Sequence, residues 1–582
     1  MDNVVYLIMR RMRTPLLVLI GTYAVAMAGM ALIPAQDAAG NPVPMSLFHA
    51  FYFVSYMSTT IGFGELPNAF TDAQRIWVSF SVFATVAVWL YAIGTLITLL
   101  QDTTFQRAIL ESRFRRRVRR LREPFYLVCG YGQTGTALVR SLTDRHRRAV
   151  AIDIDPQRVN LLKLDNLREY VPSLCADARQ PSSLEDAGLR HPLCKGVVAL
   201  TNVNETNLKI AIAAKLLHPE ITVICRADSH EVEANMASFG TDHIYDPFDT
   251  FALDMAIAIQ SPCLALLSKW LAGYEDQALD APIFPPTEGR WILCGFGRFG
   301  KAMYRHLKEQ GLDLTVIEAL PHKTGLPKEG VVHGRGTEAV TLEQAGIGDA
   351  VGLVAGTDED ADNLSIIMTA LMLNPSLFVV ARQNRHHNKI LFERVGAQVV
   401  MMPSNIIADR IRVRLGTPLL AELTMLARYQ DDDWACALVS RVVALVDDHP
   451  PHVWEISIDE IEAPALCALD RRGIPVTIAE LTRDPRDRDR DLPLIVLLRL
   501  GTEERELLPA PDVRVCSGDR LLLCGRADAS RSLTWTLRNL NVLDYVLTGN
   551  AAPGGLVWRW LARRRARGVQ RGEKSASARH KR

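Results

Sequence analysis

The chain has 582 residues, which excludes a single-domain fold and suggests three or four domains. Hydrophobic residues make up 48% and charged residues 23%, enough for buried cores in a chain that is mostly soluble. The formal net charge of +1 names no partner by itself, and we predict no nucleic-acid partner.

Two uncharged runs near the start are long enough to cross a membrane as helices. Pro15 to Ile33 has 19 residues and Ile76 to Leu100 has 25, where about 20 are needed. Arginines precede the first run and follow the second, whereas Arg75 is the only Lys or Arg between them. The positive-inside rule predicts a multi-pass protein of the inner or plasma membrane with both termini in the cytoplasm.

The first run also has features of a cleaved secretory signal. It has a basic start, an apolar stretch and small residues near Ala26–Ala31. We favour a retained span because the run is long and everything after Leu100 looks cytosolic.

A short apolar and aromatic segment, Ser46–Ser58, lies between the two runs. It is too short to cross the membrane and suits a re-entrant helix buried in protein. It leads directly into Thr59-Thr60-Ile61-Gly62-Phe63-Gly64-Glu65. This sequence resembles the selectivity filter of potassium channels, T-V-G-Y-G-D. Dehydrating K⁺ requires rings of backbone carbonyls, and alternate residues must adopt backbone angles open mainly to glycine.

The resemblance implies a role for each residue of the predicted filter, Thr59 to Gly64. The carbonyls of Thr60, Ile61, Gly62 and Phe63 and the Thr60 hydroxyl are the implied K⁺ ligands. Phe63 lacks the hydroxyl that Tyr usually offers there, and Tyr56 stands where some relatives carry a buried Glu. Both departures bear on the rigidity of the filter.

A single hairpin of this kind cannot enclose a pore, so a homotetramer is implied. Gly94 is the only glycine in the second run. It is either a hinge for gating or a close contact between helices, and we predict the hinge.

Beyond an arginine-rich segment, the pattern changes to that of a nucleotide-binding fold. The apolar strand Tyr126–Cys129 leads into the loop Gly130–Gly135, which opens a helix, and a second strand ends at Asp153. This is the dinucleotide fingerprint. Its glycines let the backbone approach a pyrophosphate at a helix N-terminus, and its acid binds ribose hydroxyls and disfavours a 2′-phosphate.

The same fingerprint returns 165 residues later, in the loop Gly295–Gly300 and in Glu318 at the end of the next strand. Four later markers pair at an offset of 156: Thr201 with Thr357, Asn207 with Asn363, Arg226 with Arg382, and Pro247 with Pro403. A repeat kept over this span indicates a duplicated domain.

The repeats resemble the RCK domain, also called KTN or TrkA-N, which regulates potassium conductance. The resemblance also rests on the segments CADARQPSSLEDAGL and VVARQNRHHNKILFERVGAQVVMMP. The residues predicted to contact a nucleotide are Gly130, Gly132, Gln133, Thr134, Gly135, Asp153 and Asp177 in the first repeat, and Gly295, Gly297, Arg298, Phe299, Gly300 and Glu318 in the second. Arg335 occupies the place of Asp177 in the second repeat, so the two sites should not bind one ligand equally.

The whole chain therefore resembles prokaryotic two-span potassium channels with tandem RCK domains. The predicted fold is a membrane α-helical pore hairpin, with two spans and a re-entrant pore helix, followed by two α/β Rossmann-like RCK domains and an α+β C-terminal subdomain. The predicted boundaries are 1–104 for the pore domain, 105–124 for a basic linker, 125–265 and 288–412 for the two RCK domains, 413–548 for a TrkA-C-like region and 549–582 for a basic tail.

Two later segments have charged clusters. The carboxylates of Asp431, Asp432 and Asp433 suit Ca²⁺, but a solvated turn is the more common origin of such a cluster. In the tail, Trp558 and Trp560 lie beside several arginines and suit anionic membrane lipid, although a disordered solvated tail is favoured.

The ten cysteines include no pair with C-x-x-C spacing, and Cys129, Cys225 and Cys294 lie in apolar runs that are typical of strands. We therefore expect neither a zinc site nor a disulfide framework, and scattered unpaired cysteines in a reducing cytosol.

Three functional classes remain to be compared. The glycine loops alone permit an NAD-dependent oxidoreductase, but no separate substrate domain and no acid/base constellation follows either loop. A regulatory subunit would lack residues 15–100, and an antiporter would need more spans. The predicted function is a non-enzymatic, potassium-selective channel with K⁺ in its filter and NAD or an adenine nucleotide as regulatory ligand, with Ca²⁺ as a further candidate.

Overall fold

The computed structural model describes residues 2–37, 39–65, 68–273, 283–446, 449–502 and 504–549. The predicted basic tail, apart from Gly549, lies outside the described residues, as do Trp558 and Trp560. Two compact units form: residues 1–124 with 172–176 and 182–194, and the rest of the chain.

The first unit contains the membrane hairpin. Its elements are α1 (Asp2–Leu32), β1 (Ala35–Gln36), β2 (Pro42–Val43), α2 (Leu47–Ser58), α3 (Asp72–Gln101) and α4 (Thr103–Val118). Two stretches, Ile8–Leu32 and Asp72–Gln101, are long and apolar enough to cross a membrane, with mean hydropathies of 1.9 and 2.0. The helix α2 is short and apolar, as expected of a re-entrant pore helix.

Close packing joins α1 to α3. A Cβ atom on Gly29 would lie 2.0 Å from the Trp77 ring, so only glycine fits there. The Trp77 indole donates a hydrogen bond of 3.1 Å to the carbonyl of Ala26. Ala50, Phe53 and other residues of α2 complete a small apolar core with residues of α1 and α3.

The predicted basic linker is mostly helical. Asp102 ends α3 and caps the N-terminus of α4, because its extended backbone interrupts the helix and its carboxylate accepts from the N–H groups of Thr104 and Phe105. The same carboxylate forms an ion pair of 3.1 Å with Arg11 of α1. The chain therefore bends at Asp102, directly after the second predicted span.

The first repeat follows, and its glycine loop leaves the central strand of a parallel sheet. Its elements are β3 (Phe125–Cys129), α5 (Gln133–Asp144), β4 (Arg148–Asp153), α6 (Pro156–Leu164), β5 (Ser173–Cys175), α7 (Pro181–Asp186), β6 (Cys194–Ala199), α8 (Asn204–Leu217), β7 (Thr222–Arg226), α9 (His230–Ser238), β8 (His243–Tyr245), α10 (Pro247–Gln260) and α11 (Pro262–Leu271). Within the second unit the strand order is β4-β3-β6-β7-β8. The order reverses direction at β3, where doubly wound folds bind their ligands.

The second repeat has the same topology. Its elements are β9 (Arg290–Cys294), α12 (Arg298–Glu309), β10 (Asp313–Glu318), α13 (Pro321–Thr324), β11 (Val331–His333), α14 (Ala339–Gln344), β12 (Ala350–Ala355), α15 (Asp360–Leu373), β13 (Phe378–Arg382), α16 (Lys389–Arg394), β14 (Val399–Met401), α17 (Pro403–Gly416), α18 (Pro418–Ala427) and α19 (Asp432–Val446). Its six strands are parallel in the order β11-β10-β9-β12-β13-β14. The predicted Rossmann-like fold is confirmed for both repeats.

The two repeats exchange a helix each, α10 and α17, which follow the last strand of each sheet. Phe248 and Phe251 of α10, which belongs to the first repeat, pack into the core beside Phe299 of α12 in the second. In return, Ile407 and Ile411 of α17 pack into the core of the first repeat. Each repeat therefore contributes a helix to the hydrophobic core beneath the other repeat's glycine loop.

The C-terminal region is an α+β layer, as predicted. Its elements are β15 (His452–Ser457), α20 (Pro464–Asp470), α21 (Ile478–Leu481), β16 (Leu494–Leu500), β17 (Arg505–Leu507), β18 (Arg520–Gly525), α22 (Ala527–Arg538) and α23 (Leu540–Thr548). The antiparallel strands have the order β15-β18-β16-β17. One face of this sheet packs on α18 and α19, and helices cover the other face.

The cysteines differ from the sequence-based expectation. Cys263 and Cys436 form a disulfide across 173 residues of sequence, although the expectation was unpaired thiols throughout. The sequence could not indicate this pair, because only the packing of α11 on α19 brings the two positions together.

Replacing Gly29 with Val should destabilise the hairpin, because the new side chain would overlap the Trp77 ring. Overpacking of this kind costs about 1–3 kcal/mol. We expect a lower apparent Tm in detergent and a smaller monodisperse peak on size-exclusion chromatography. Gly21→Val is the matched control, since nothing lies within 4 Å of a Cβ there. Equal losses in both variants would contradict this account of the α1–α3 contact.

Candidate pore and nucleotide sites

The predicted filter begins at the C-terminal end of α2. The Thr59 hydroxyl donates to the carbonyl of Ser55 at 2.9 Å, and the Ile61 N–H donates to the carbonyl of Tyr56 at 3.1 Å. These bonds turn the chain away from the helix axis without leaving the last turn unpaired. The partial negative charge of a helix C-terminus also favours a cation nearby.

The backbone angle φ is positive at alternate residues of the predicted filter. Gly62 has φ +64° and Gly64 has φ +73°. A Cβ atom on either glycine would meet nothing within 4 Å, so these positions need glycine for its conformation rather than for space. Thr60 also has a positive φ, +61°. Thr59, Ile61 and Phe63 do not have a positive φ.

Two tyrosines of α2 bind Glu65, at the C-terminal end of the predicted filter. The Tyr56 hydroxyl donates to the backbone carbonyl of Glu65 at 3.2 Å, and the Tyr52 hydroxyl donates to its carboxylate at 3.1 Å. The edge of the Tyr56 ring also contacts Phe63, with centroids 6.0 Å apart. The pore helix thus supplies hydroxyl groups beside a filter whose Phe63 has none. The sequence analysis singled out Tyr56 and Phe63 as departures from the usual filter sequence, but it did not predict the contact between their rings.

Gly94, the predicted gating hinge, lies within α3. No described atom lies within 4 Å of a Cβ placed there. Packing within one chain therefore does not require glycine at this position, and the hinge stays a prediction.

In each glycine loop, the fold itself requires the first and third glycines. Gly130 and Gly295 have φ +103° and +96°. A Cβ atom on Gly135 or Gly300 would lie 2.0 Å from the carbonyl oxygen of the loop's first glycine. These four residues would be glycine with or without a ligand.

The middle glycines have no such structural requirement. Gly132 and Gly297 have φ −80° and −68°, which other residues adopt. A Cβ on Gly132 would meet only the Arg158 guanidinium, at 3.6 Å, and one on Gly297 would meet nothing within 4 Å. Neither glycine caps its helix with a side chain, so the first N–H groups of α5 and α12 stay available to an anion. Open space at these two positions fits the close approach of a pyrophosphate.

The acid at the end of the second strand of each repeat accepts a hydrogen bond from the backbone of that repeat's glycine loop. Asp153 accepts from the N–H of Tyr131, and Glu318 accepts from the N–H of Phe296, both at 2.6 Å. Each carboxylate also accepts from the N–H two residues after it. Both residues are buried. Replacing either acid would therefore disturb the loop as well as any ribose contact.

The loop side chains divide into two groups. Thr134 and Phe299 are buried, so only their backbone groups are available to a ligand. Gln133 is exposed beside Gly132. The position of Gln133 in the second repeat is occupied by Arg298.

Arg298 reaches from the second loop to the first repeat. Its guanidinium forms an ion pair of 2.6 Å with Asp228, which also pairs with Arg226 at 3.0 Å. Arg298 and Arg382 both lie over the Phe248 ring, at 5.4 and 4.9 Å from its centroid. Burial lowers the pKa of Arg382 to about 10. The sequence analysis missed this arginine cluster because its members come from both repeats.

The remaining predicted acids have local partners. Arg179 binds Asp177 at 2.7 Å and holds its pKa below the usual value. Asp431 accepts from the N–H of Trp434, and Asp432 accepts from the Ser261 hydroxyl. Since two of the three clustered carboxylates act as helix caps, no contact among the described residues supports Ca²⁺ there.

The described hairpin, its filter-like turn and the paired Rossmann-like domains define a class: a membrane protein with a channel-like hairpin and two domains of a fold that commonly binds nucleotides. Comparison with protein families agrees. An ion channel family matches residues 16–102, and the TrkA-N domain family matches residues 126–247 and 291–403.

The related proteins include two from Methanocaldococcus jannaschii. Potassium channel protein 1 is 24% identical over 234 residues, which cover 39% of this chain and 67% of the relative. Probable potassium channel protein 2 is 22% identical over 232 residues, which cover 40% and 66%. The matched part thus spans about two thirds of each relative.

Among solved structures, the GsuK channel shares the fold. It is 16% identical, with a TM-score of 0.50 over 94% of this chain and 100% of that one. A structure of that channel bound to NAD has a TM-score of 0.46 and is 15% identical, over 92% of this chain and 100% of that one.

The chain is similar to archaeal potassium channels, and it matches an ion channel family followed by two matches to the TrkA-N domain family. The predicted resemblance and fold class are confirmed. So is the prediction that the chain is not an enzyme, because an ion channel family matches residues 16–102 and the relatives from Methanocaldococcus jannaschii are potassium channels.

Tyr56→Phe should weaken the outer end of the filter, because it removes the hydroxyl that holds the Glu65 carbonyl. A hydrogen bond of this kind contributes about 1 kcal/mol, so the balance between conducting and non-conducting filters should shift roughly fivefold per chain. We expect faster decay of K⁺ current at low external K⁺. Glu65→Gln keeps the backbone acceptor and should decay more slowly than Tyr56→Phe. The reverse order would refute this role for Tyr56.

Proposed function

We propose that the chain forms a homotetrameric, potassium-selective channel of the cell membrane, with both termini cytoplasmic, and that NAD or an adenine nucleotide bound to the repeats controls its opening. The observation that carries the proposal is the glycine-alternating turn Thr60–Gly64, held at the end of a short, half-buried helix between two spans.

The proposed selectivity rests on backbone carbonyls. Thr60 to Phe63 supply four of them in succession, and the Thr60 hydroxyl adds a further oxygen. Rings of such oxygens replace the hydration shell of K⁺ at little cost. One chain supplies a single ladder, so four chains around an axis are needed to complete each ring.

The proposed ligand follows from the loops. Open space at Gly132 and Gly297 and free helix N-termini suit a pyrophosphate, and Asp153 and Glu318 disfavour a 2′-phosphate. We favour NAD or an adenine nucleotide in the first repeat. In the second repeat, the ion pair of Arg298 must rearrange before that guanidinium can meet phosphate, so the two sites are unequal.

The proposed coupling is covalent. The helix α4 follows α3 at Asp102 and spans about 24 Å at 1.5 Å per residue. Six residues then join it to β3. A ligand shifts the open–closed balance only through its different affinity for the two states, typically 1–3 kcal/mol per site.

Purified protein whose mass corresponds to four chains should conduct K⁺ far better than Na⁺ in liposomes. Gly62→Ala should abolish conduction, because alanine is strained at φ +64° while the ladder depends on that angle. Gly21→Ala, in α1, is the control and should conduct normally. Equal permeability to K⁺ and Na⁺ would refute the filter assignment, and a conducting dimer would refute the tetramer.

Gly132→Ala should weaken nucleotide binding at least tenfold without unfolding the repeat. The new methyl group occupies the space proposed for a pyrophosphate but only touches Arg158 at ordinary distance. Gly297→Ala makes the same change in the second loop, and Gly348→Ala, also open at its Cβ, is the control. Binding of NAD, ADP and ATP is measured by calorimetry on the full-length protein, and open probability by single-channel recording.

The pair of variants separates the two sites. Loss of binding and of the response in Gly132→Ala alone assigns the regulatory ligand to the first repeat. If both variants bind and respond like the parent, nucleotide gating through these loops is wrong, whatever ion the pore conducts.

A further inference from the structure

A disulfide joins two helices of the second unit that are remote in sequence. Cys263 lies in the first turn of α11, Cys436 lies in the second turn of α19, and their Cα atoms are 5.1 Å apart. This separation lies within the range that disulfides adopt without moving the backbone. Both residues are partly exposed.

A carboxylate lies beside the sulfur pair. Asp432 accepts from the N–H of Cys263 at 3.0 Å and from the Ser261 hydroxyl at 2.6 Å, and its other oxygen is 3.7 Å from Sγ of Cys436. The helix ends therefore stay aligned by hydrogen bonds when the sulfur–sulfur bond is absent. This alignment keeps the two thiols within reach of each other.

The linked helix is adjacent to the exchanged helix of the first repeat. Ser261 ends α10 and begins α11. At its other end, α10 packs Phe248 and Phe251 against Phe299 in the second glycine loop. The disulfide thus fixes the base of the helix that supports this loop to α19.

We propose that Cys263 and Cys436 form a reversible redox-modification site, whose co-reactant is a low-molecular-weight disulfide such as oxidised glutathione. The inference rests on the proposed cytoplasmic location of the repeats, where protein disulfides are usually transient or redox-sensing. It assigns to this pair a regulatory input separate from the nucleotide sites.

The reaction proceeds by two exchanges. The thiolate of one cysteine attacks a sulfur of the small disulfide and forms a mixed disulfide, and the first small thiolate leaves. The second cysteine then attacks the protein sulfur and displaces the second small thiolate. Two protein thiols are oxidised to one disulfide, one small disulfide is reduced to two thiols, and the two cysteine protons end on the small thiols.

Oxidation should restrict local opening of α11 and α19. A crosslink that closes a loop of this length stabilises the folded state chiefly by restricting the unfolded chain. Reduction leaves the Asp432 hydrogen bonds and apolar packing between the two helices. We expect faster amide exchange in both helices and an apparent Tm lower by on the order of 5 °C.

The test uses the full-length protein in detergent, equilibrated with mixtures of reduced and oxidised glutathione. Differential alkylation and mass spectrometry measure the thiols at 263 and 436, and hydrogen exchange is recorded on α11 and α19. The thiols should titrate together within the cytosolic glutathione range. Cys263→Ser should behave as reduced parent at every ratio, whereas Cys516→Ser, which removes an exposed cysteine elsewhere, should titrate like the parent.

Three outcomes overturn the proposal: thiols that stay alkylatable in every mixture, a bond that persists in fully reduced glutathione, or thiols protected only until a metal chelator is added. The last would assign a metal site to Cys263, Asp432 and Cys436. None of these readouts depends on conduction or nucleotide binding. A channel that fails to select K⁺ would therefore refute the proposed function, whereas the outcome of the redox test would still stand.

Discussion

Backbone groups that leave a helix at membrane depth must find partners inside the protein, and this constraint governs the pore region. Water cannot satisfy them there, so irregular backbone survives only where protein or a wet cavity lines it. The turn after α2 meets the constraint with its own last carbonyls, which accept from Ile61 and Thr59. The Tyr56 hydroxyl then binds the Glu65 carbonyl at the far end. Close α1–α3 packing around Gly29 and Trp77 positions the helix that carries these groups.

Duplication and helix exchange impose a second constraint on the repeats. Because α10 and α17 each complete the other repeat's core, neither glycine loop is supported by its own repeat alone. The two loops share the same carboxylate contact to the backbone, through Asp153 and Glu318. They differ in the side chain that follows the middle glycine. Arg298 of the second loop forms an ion pair with Asp228 of the first repeat, so a displacement of Arg298 would change a contact of the first repeat.

The sequence predicted what local chemistry determines. Alternating glycines need positive φ in the filter, and the spacing of the glycine loops follows from a helix N-terminus facing a strand end. It did not predict contacts that depend on tertiary packing. The hydrogen bonds of the Tyr52 and Tyr56 hydroxyls depend on the angle between α2 and the predicted filter. The Arg298–Asp228 ion pair depends on how the two repeats pack on each other. The Cys263–Cys436 bond was missed for the same reason, since no short spacing marks it.

Asp102 determines where α3, the second predicted span, ends and where α4 begins. An uninterrupted helix from 72 to 118 would transmit rotation as well as displacement along its axis. The extended backbone at Asp102 ends α3, and its carboxylate restarts the helix as α4 by binding two N–H groups. The ion pair with Arg11 holds this bend against the start of α1. Because that pair is partly exposed, it is worth at most about 1 kcal/mol, comparable to the coupling energy of one ligand site. On the proposal that ligand binding drives opening, the coupling energy of one site is enough to break this ion pair, while buried Leu99 and Phe105 beside the bend also hold it.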